Sequence, residues 1–177
     1  MIHIYLLQTV STNKREISKQ AYDQIRSLAS AELGIDKEQI NFEYGKYGKP
    51  FIKGHKEWQF NISHTDGMIA IATSDFSIGI DIEKIREPDE RIARRFFSEK
   101  EQEYIRETDS AIRFFEVWTR KEAYIKCIGK GFYQPLNSFD VFEMPEKYRT
   151  FHVLQDYIVS VCGDQHISDT QIMTKGI

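Results

Sequence analysis

Two carboxylates stand two residues apart in the segment Gly79-Ile80-Asp81-Ile82-Glu83. If this segment is a β-strand, Asp81 and Glu83 point to one face and the two isoleucines to the other, because side chains alternate along a strand. Two neighbouring carboxylates repel each other unless a cation lies between them, and Mg²⁺ prefers such oxygen ligands. Taken alone, the segment fits a solvated edge strand at least as well as a metal site.

A second polar group lies in the segment from Trp118 to Lys126. On a helix, Trp118, Glu122 and Lys126 share one face at four-residue spacing, whereas Lys121 points elsewhere but could reach the same anion from the side. One interpretation is a further metal carboxylate with a phosphate-binding lysine one turn away. The other, favoured for this segment by itself, is an exposed Glu–Lys pair beside a core tryptophan.

A third polar group follows the apolar segment Trp58–Ile62, in the turn Ser63-His64-Thr65-Asp66-Gly67. A hydroxyl beside an imidazole can donate to a phosphate, but Ser63 could equally cap backbone groups and leave His64 in solvent. A serine nucleophile is a further alternative, although no glycine elbow flanks Ser63.

The composition limits the classes of protein to which this chain could belong. Of 177 residues, 41% are hydrophobic and 29% charged, with a formal net charge of −3, so the broad basic surface of a nucleic-acid binder is not expected. No apolar run approaches the roughly 20 residues of a membrane span, and the first residues lack the basic flank of a signal peptide. Cys127 and Cys162 fit buried thiols in a reducing compartment. We expect a cytoplasmic protein that binds neither nucleic acid nor membrane.

Apolar periodicity predicts two groups of elements. A helix is predicted over 15–33, ended by Gly34, and another over 111–128, ended by Gly129. Two shorter helices are predicted between them, over 88–97 and from a capping-box pattern at Ser98 and Glu101. Strands are predicted over 2–7, 41–44, 58–62 and 68–73, and then over 77–83, 139–142, 149–154 and 157–161. This layout indicates an α+β fold of two similar halves, residues 1–78 and 79–177, with a ligand cleft between them.

The motifs gain meaning from their joint occurrence in one order. They are Gly48-Lys49-Pro50, Phe60-Asn61-Ile62-Ser63-His64, Gly79-Ile80-Asp81-Ile82-Glu83, Trp118-Thr119-Arg120-Lys121-Glu122-Ala123-Tyr124-Ile125-Lys126 and Gly129-Lys130-Gly131. In this order and spacing they closely resemble the 4′-phosphopantetheinyl transferases of the surfactin-synthetase-activating type (Sfp-type). The resemblance extends from about Asn41 to Val161 and is weaker towards both ends.

The resemblance implies a fold, a reaction and a cofactor. Such enzymes are pseudo-dimers of two similar α/β halves with coenzyme A in the cleft between them. They transfer the 4′-phosphopantetheine group of coenzyme A to a serine of an apo acyl or peptidyl carrier protein. Adenosine 3′,5′-bisphosphate is the other product, and Mg²⁺ is required. The chain is expected to act as a monomer, because both halves of the cleft lie within it.

The resemblance also implies roles for individual residues. The implied metal ligands are Asp81, Glu83 and Glu122. At the 3′-phosphate of coenzyme A, the implied contacts are Ser63 and His64, with Lys49 nearby. At the adenine they are Tyr47, Gly48, Lys49 and Pro50. At the diphosphate they are Lys121 and Lys126. Glu122 and Lys126 are the implied catalytic residues, with Glu122 as base towards the serine, directly or through water.

One region departs from the family pattern, and the role of a second region stays open. Longer members carry an additional basic N-terminal segment, and the basic residues in its place do not align with it: Lys14, Arg15, Lys19 and Arg26. A basic patch near Phe96 and Phe97 could steer an acidic carrier protein or could be an ordinary solvated helix face: Arg91, Arg94 and Arg95.

Two other classes remain as alternatives. A magnesium-dependent phosphohydrolase or nuclease would use the same carboxylates without Ser63, His64 and Lys49. A coenzyme A-binding module without catalysis would not need the full set of carboxylates and Lys126.

Overall fold

The computed structural model describes residues 1–167 and 170–174, and the side chains of Phe132 and of 170–174 are left out of the description. The first half contains β1 (Ile2–Gln8), α1 (Lys14–Leu33), β2 (Phe42–Tyr44), β3 (Pro50–Ile52), β4 (Gln59–Thr65) and β5 (Met68–Ser74). The second contains β6 (Ile78–Lys84), α2 (Glu90–Phe96), α3 (Glu99–Glu107), α4 (Ser110–Ile128), β7 (Tyr148–Val153), β8 (Tyr157–Gly163) and β9 (Thr170–Thr174).

The first sheet has the strand order β4-β5-β1-β9. Strands β4 and β1 both pair antiparallel with β5, and β9 pairs parallel with β1. Helix α1 covers one face of this sheet with Ile17, Ala21, Ile25 and Ala29. Their four-residue spacing places them on one side of the helix, which explains why this segment forms an amphipathic helix.

The second sheet is antiparallel, with the order β6-β8-β7, and α4 packs on one of its faces. The contact between α4 and β6 requires a glycine, since a Cβ atom on Gly79 would lie 2.0 Å from the Ala123 carbonyl oxygen. This close approach brings the helix that carries Glu122 and Lys126 directly over the strand that carries Asp81.

The main core lies between the two sheets. Ile2, Ile4 and Leu6 of β1 pack with Ile78, Ile80 and Ile82 of β6 and with β8 residues in one buried cluster. Strand β4 also lies against β6, where the Asn61 side chain accepts a hydrogen bond from the Ile80 backbone at 2.8 Å. Strand β6 therefore uses its isoleucine face for the core and leaves its carboxylate face to α4 and β4.

The predicted α+β class is confirmed, since helices are combined with sheets whose described strand pairs are antiparallel apart from β1 with β9. The predicted halves 1–78 and 79–177 stay a prediction; strand β9, from the second of them, pairs with β1 in the first sheet. The predicted strand over 139–142 is wrong: Asp140 caps a short 3₁₀ turn by accepting from the Phe142 backbone at 2.7 Å. Within 1–167 and 170–174, no helix has the length and apolar character needed to cross a bilayer.

Candidate active site

Polar side chains connect β4 to β6 in register. Because residues two apart on a strand share a face, Asn61, Ser63 and Thr65 all point from β4 towards β6. Ser63 Oγ donates to Asp81 Oδ1 at 2.8 Å, and Thr65 Oγ1 lies 3.5 Å from Glu83 Oε2. The two carboxylates predicted to share a face do so, and they face the other half of the molecule rather than solvent.

Lys126 of α4 completes this contact. Its Nζ donates to Asp81 Oδ1 at 2.6 Å and to Ser63 Oγ at 2.9 Å, so three side chains from β4, β6 and α4 form a closed triangle. Lys126 is 26% exposed and Asp81 7%. A charge-assisted contact at this depth is stronger than a surface ion pair.

The other oxygen of Asp81 lacks a partner. Oδ2 is buried, and within the described part of the chain it is one of two buried side-chain polar atoms without a hydrogen bond, the other being the Tyr148 hydroxyl. A buried unpaired carboxylate oxygen is costly. A position that keeps one is suited to a ligand that supplies positive charge.

Glu122 and Glu83 lie beside this triangle. Burial, and then the Asp81 carboxylate, raise the pKa of Glu122 above its ordinary value; Lys126 opposes this shift and Glu83 adds to it. Glu83 is also held by Arg86 at 3.0 Å. The three predicted metal carboxylates therefore interact electrostatically, although no group of three His, Cys, Asp or Glu residues in the described ranges converges closely enough to hold a metal.

His64 lies at the exposed end of the same strand. Burial of its ring, followed by the charges of Lys126 and Lys14, lowers the pKa of His64. Lys14 is the first residue of α1, and the segment before it is tied to the turn after β4 by the Thr9 backbone, which donates to the Gly67 carbonyl at 2.9 Å. The charge of Lys14, one of the unaligned N-terminal basic residues, thus acts on the predicted phosphate ligand.

The side chain of Lys49 lies between the two halves. Its Nζ donates to the carbonyls of Ile78 and Cys127 at 2.8 and 2.9 Å and to Ser77 Oγ at 3.1 Å. All three donors of this ammonium are therefore directed at protein acceptors, and its predicted phosphate contact stays a prediction. Lys49 and Pro50 line a surface cavity of about 300 Å³ together with Gly129.

Tyr47 and Gly48 lie in the turn before Lys49. Gly48 has φ +87°, a left-handed conformation that favours glycine. The Tyr47 ring is 40% exposed and packs against Tyr133, with ring centroids 5.0 Å apart. The sequence offered no signal that Tyr133 would meet this turn, since the two residues lie on separate halves.

Lys121 does not face the cleft. Its side chain is fully buried, pairs with Glu101 Oε2 at 2.9 Å, and donates to the carbonyls of Leu136 and Phe139 at 2.8 and 2.7 Å. On this side of α4 the Lys121 side chain points into the second half, and its predicted diphosphate contact stays a prediction. There it ties α4 to α3 and to the loop that follows.

Comparisons with known proteins agree on one family. A model described as the 4'-phosphopantetheinyl transferase superfamily matches residues 77–171. The 4'-phosphopantetheinyl transferase gsp of Aneurinibacillus migulanus is 45% identical over 118 residues, which cover 65% of this chain but only 49% of that protein. A 4'-phosphopantetheinyl transferase of Bacillus subtilis is 33% identical over 190 residues, 89% of this chain and 84% of that protein. The 4'-phosphopantetheinyl transferase Sfp of Bacillus subtilis strain 168 is 32% identical over 183 residues, 87% and 82% respectively.

The family match begins at Ser77, immediately before β6, and so includes both Asp81 and the helix that carries Glu122 and Lys126. Because the family model covers more than half of the 177 residues and the Bacillus relatives match along most of their length, the chain belongs to the 4'-phosphopantetheinyl transferase superfamily, as an Sfp-type transferase.

Proposed function

We propose that this protein transfers the 4′-phosphopantetheine group of coenzyme A to a serine of an apo acyl or peptidyl carrier protein and releases adenosine 3′,5′-bisphosphate. The observation that carries this proposal is the triangle of Ser63, Asp81 and Lys126 with the unpaired Asp81 Oδ2 beside it. It stands where β4 of the first half meets β6 and α4 of the second. We take this junction as the floor of the coenzyme cleft in a pseudo-dimer of two similar halves.

The chemistry of the donors fits Mg²⁺. Hard carboxylate oxygens are its preferred protein ligands, and the unpaired oxygen of Asp81 meets one requirement of such a site. We therefore keep Asp81, Glu83 and Glu122 as the residues that would hold it. A bound Mg²⁺ would neutralise the negative charge that develops on the diphosphate during transfer.

Glu122 is our candidate for the base. The carrier serine is too weak an acid to attack phosphorus unaided, so a group near the reaction must take its proton. The raised pKa of Glu122 makes it a better proton acceptor than an ordinary carboxylate. Lys126 pairs with Asp81 but is 26% exposed. Its ammonium can therefore also interact with the diphosphate.

The phosphates of coenzyme A need further positive groups. We propose that His64 and Ser63 contact the 3′-phosphate and that Lys14 adds the charge which longer relatives take from their N-terminal segment. The support is the electrostatic effect of Lys14 on His64. The loop around Tyr47, Gly48, Lys49 and Pro50 would line the adenine site with ring and backbone atoms.

The carrier protein would approach beyond the end of β6. The predicted basic patch is partly neutralised there, since Arg91 pairs with Asp89 at 2.7 Å and Arg94 lies 3.6 Å from Glu90. A cavity of about 450 Å³ with an apolar floor formed by Ile105 and Phe114 lies beside Arg94 and Arg106. We propose that the carrier protein docks in this region. We also propose a cytoplasmic location, which the two free thiols of Cys127 and Cys162 support.

The direct test is intact-mass spectrometry of an apo carrier protein incubated with coenzyme A, Mg²⁺ and this protein. We expect the carrier to gain the mass of one phosphopantetheine group. An unchanged mass across several acyl and peptidyl carriers would overturn the proposal, and release of adenosine 3′,5′-bisphosphate without a carrier would indicate a phosphohydrolase instead.

Two substitutions separate the metal role from the base role. Asp81→Ala removes a proposed ligand, so excess Mg²⁺ should restore part of the rate. Glu122→Gln keeps an oxygen ligand but removes the proton acceptor, so the rate should fall about 10²–10⁴-fold and Mg²⁺ should not restore it. Near-normal turnover of Glu122→Gln at saturating Mg²⁺ would refute the base assignment.

A further inference from the structure

Two loops from opposite halves meet beside the proposed adenine site. The β2–β3 turn is closed by hydrogen bonds from Gly45 N to Lys49 O and from Gly48 N to Gly45 O, both 2.9 Å. The loop after α4 forms a short 3₁₀ turn over Gly131–Tyr133. The Lys49 side chain connects the two loops by packing closely against Gly129. A Cβ atom added to Gly129 would lie only 3.1 Å from Lys49 Cδ.

At this junction two tyrosine rings pack on each other in an unusually open position. Tyr47 is 40% and Tyr133 77% exposed, and their rings are tilted by 49°. The Lys46 ammonium lies 5.2 Å from the centre of the Tyr47 ring. Large apolar side chains that stay this exposed in a pair are commonly part of a binding surface.

The chemistry of this corner suits a flat heteroaromatic ring attached to phosphate. Aromatic side chains stack on nucleic-acid bases, which have extended π-faces, and the stacking tolerates different bases. A cation beside the rings complements the phosphate groups of such a ligand. A cavity lined by Lys49, Pro50 and Gly129 borders the same two loops.

We propose that Tyr133 is a specificity-determining residue for the substrate, stacking on its adenine ring opposite Tyr47. This inference rests on the proposed function, because it takes coenzyme A as the ligand. The ring centroids are 5.0 Å apart, too close for a base between them, so Tyr133 moves off Tyr47 when the base enters. Tyr133 is suited to this movement because most of its ring lies in solvent.

The test compares a ligand with the base and a ligand without it. Tyr133→Ala should weaken binding of adenosine 3′,5′-bisphosphate about tenfold in calorimetry, with little effect on 4′-phosphopantetheine. It should raise the KM for coenzyme A by a similar factor with a much smaller change in kcat. Tyr133→Phe should restore most of the affinity, since the ring is kept. Tyr44→Ala, which removes another exposed tyrosine (63%) close in sequence, is the matched control and should bind both ligands as the parent protein does.

Three outcomes would overturn the inference. Unchanged affinity of Tyr133→Ala for the bisphosphate would show that the ring does not contact the base. Equal losses for both ligands would show a structural role for Tyr133. The same loss in Tyr44→Ala would show an unspecific effect on the loop. Failure of the parent protein to modify any carrier would count against the proposed function, whereas transfer by the parent with a normal KM in Tyr133→Ala would refute only the role of Tyr133.

Discussion

The surroundings of Glu122 disfavour its charged form. It is partly buried, and its pKa is raised first by burial and then by Asp81. A carboxyl group whose pKa is higher in the folded than in the unfolded state destabilises the fold once it ionises. The penalty is therefore present at neutral pH and disappears as the pH falls below the ordinary carboxyl range. If Glu122 is the proposed base, its function opposes stability.

Replacing Glu122 by glutamine should consequently stabilise the protein without ligands. We expect Tm to rise by about 2–4 °C at pH 7.5, with a smaller gain at pH 5. Thermal unfolding followed by circular dichroism measures this, and Glu103→Gln, an exposed change on α3, is the control. A lower Tm for Glu122→Gln at pH 7.5 would contradict the sign of the pKa shift.

His64 offers a second test at the residue scale. If it contacts the 3′-phosphate, His64→Ala removes a charge-assisted contact of about 1.5–3 kcal/mol. Coenzyme A should bind about ten- to a hundredfold more weakly, whereas dephospho-coenzyme A should bind almost as before. The control is Lys19→Ala, which removes an exposed lysine of α1 that pairs with Asp23. Equal losses of both ligands on substitution of His64 would exclude this contact.

Among the elements, α4 connects the site to the rest of the second half. One side of it lies on β6 at Gly79 and carries Glu122 and Lys126 towards the strand. Another side holds Lys121, which is fully buried with Glu101. The position of the face that carries Glu122 and Lys126 therefore also depends on the contacts of Lys121 on another side of the helix.

The glycine contact can be tested by adding one methyl group. Gly79→Ala should destabilise the protein by about 3 kcal/mol or more, because the new Cβ would meet backbone atoms of Ala123 and Cys127 at 2.0 and 2.4 Å, and backbone cannot move aside locally. Urea unfolding measures the loss. Gly45→Ala is the control, since its Cβ would be at an ordinary 3.5 Å from the nearest atom. Similar stability of the two variants would show that α4 can shift freely on β6.

The buried ion pair gives a second test of the same helix. Lys121→Met leaves Glu101 buried without its cation and should cost about 3–5 kcal/mol in the free energy of unfolding. The double variant Glu101→Gln/Lys121→Met should recover part of this loss. Lys100→Met, an exposed change on α3, should be close to neutral. A Lys121→Met protein as stable as Lys100→Met would show that the pair has no structural role.

At the scale of the whole molecule, both halves of one chain contribute side chains to the candidate site. Strand β4 contributes Ser63, β6 contributes Asp81, and α4 contributes Lys126. The sheets that carry these residues share one buried core, and β9 crosses back to the first sheet. The two halves are therefore held together by both packing and strand pairing.

This arrangement predicts a functional monomer, because no second copy is needed to supply a site residue. Light scattering at micromolar concentration should give a mass near 20.8 kDa, and the specific activity should not fall on dilution. A larger species whose activity is lost on dilution would refute this.

Features that depend on local periodicity could be predicted from the residues alone. Alternation along a strand placed Asp81 and Glu83 on one face, and the four-residue spacing of Glu122 and Lys126 placed them together on α4. Both arrangements are present in the structure. The motif order was sufficient to indicate the family.

The partners of the lysines and the pairing of the last strand could not be predicted in this way. Periodicity tells which face a side chain occupies, but a lysine has a long flexible side chain that takes whichever acceptors packing brings near it. Lys126 pairs with Asp81 and Lys121 pairs with Glu101, whereas Lys49 donates to carbonyls of the opposite half. Strand β9 joined β1 across almost the entire chain. Such contacts depend on the packing of distant segments, which no local pattern contains.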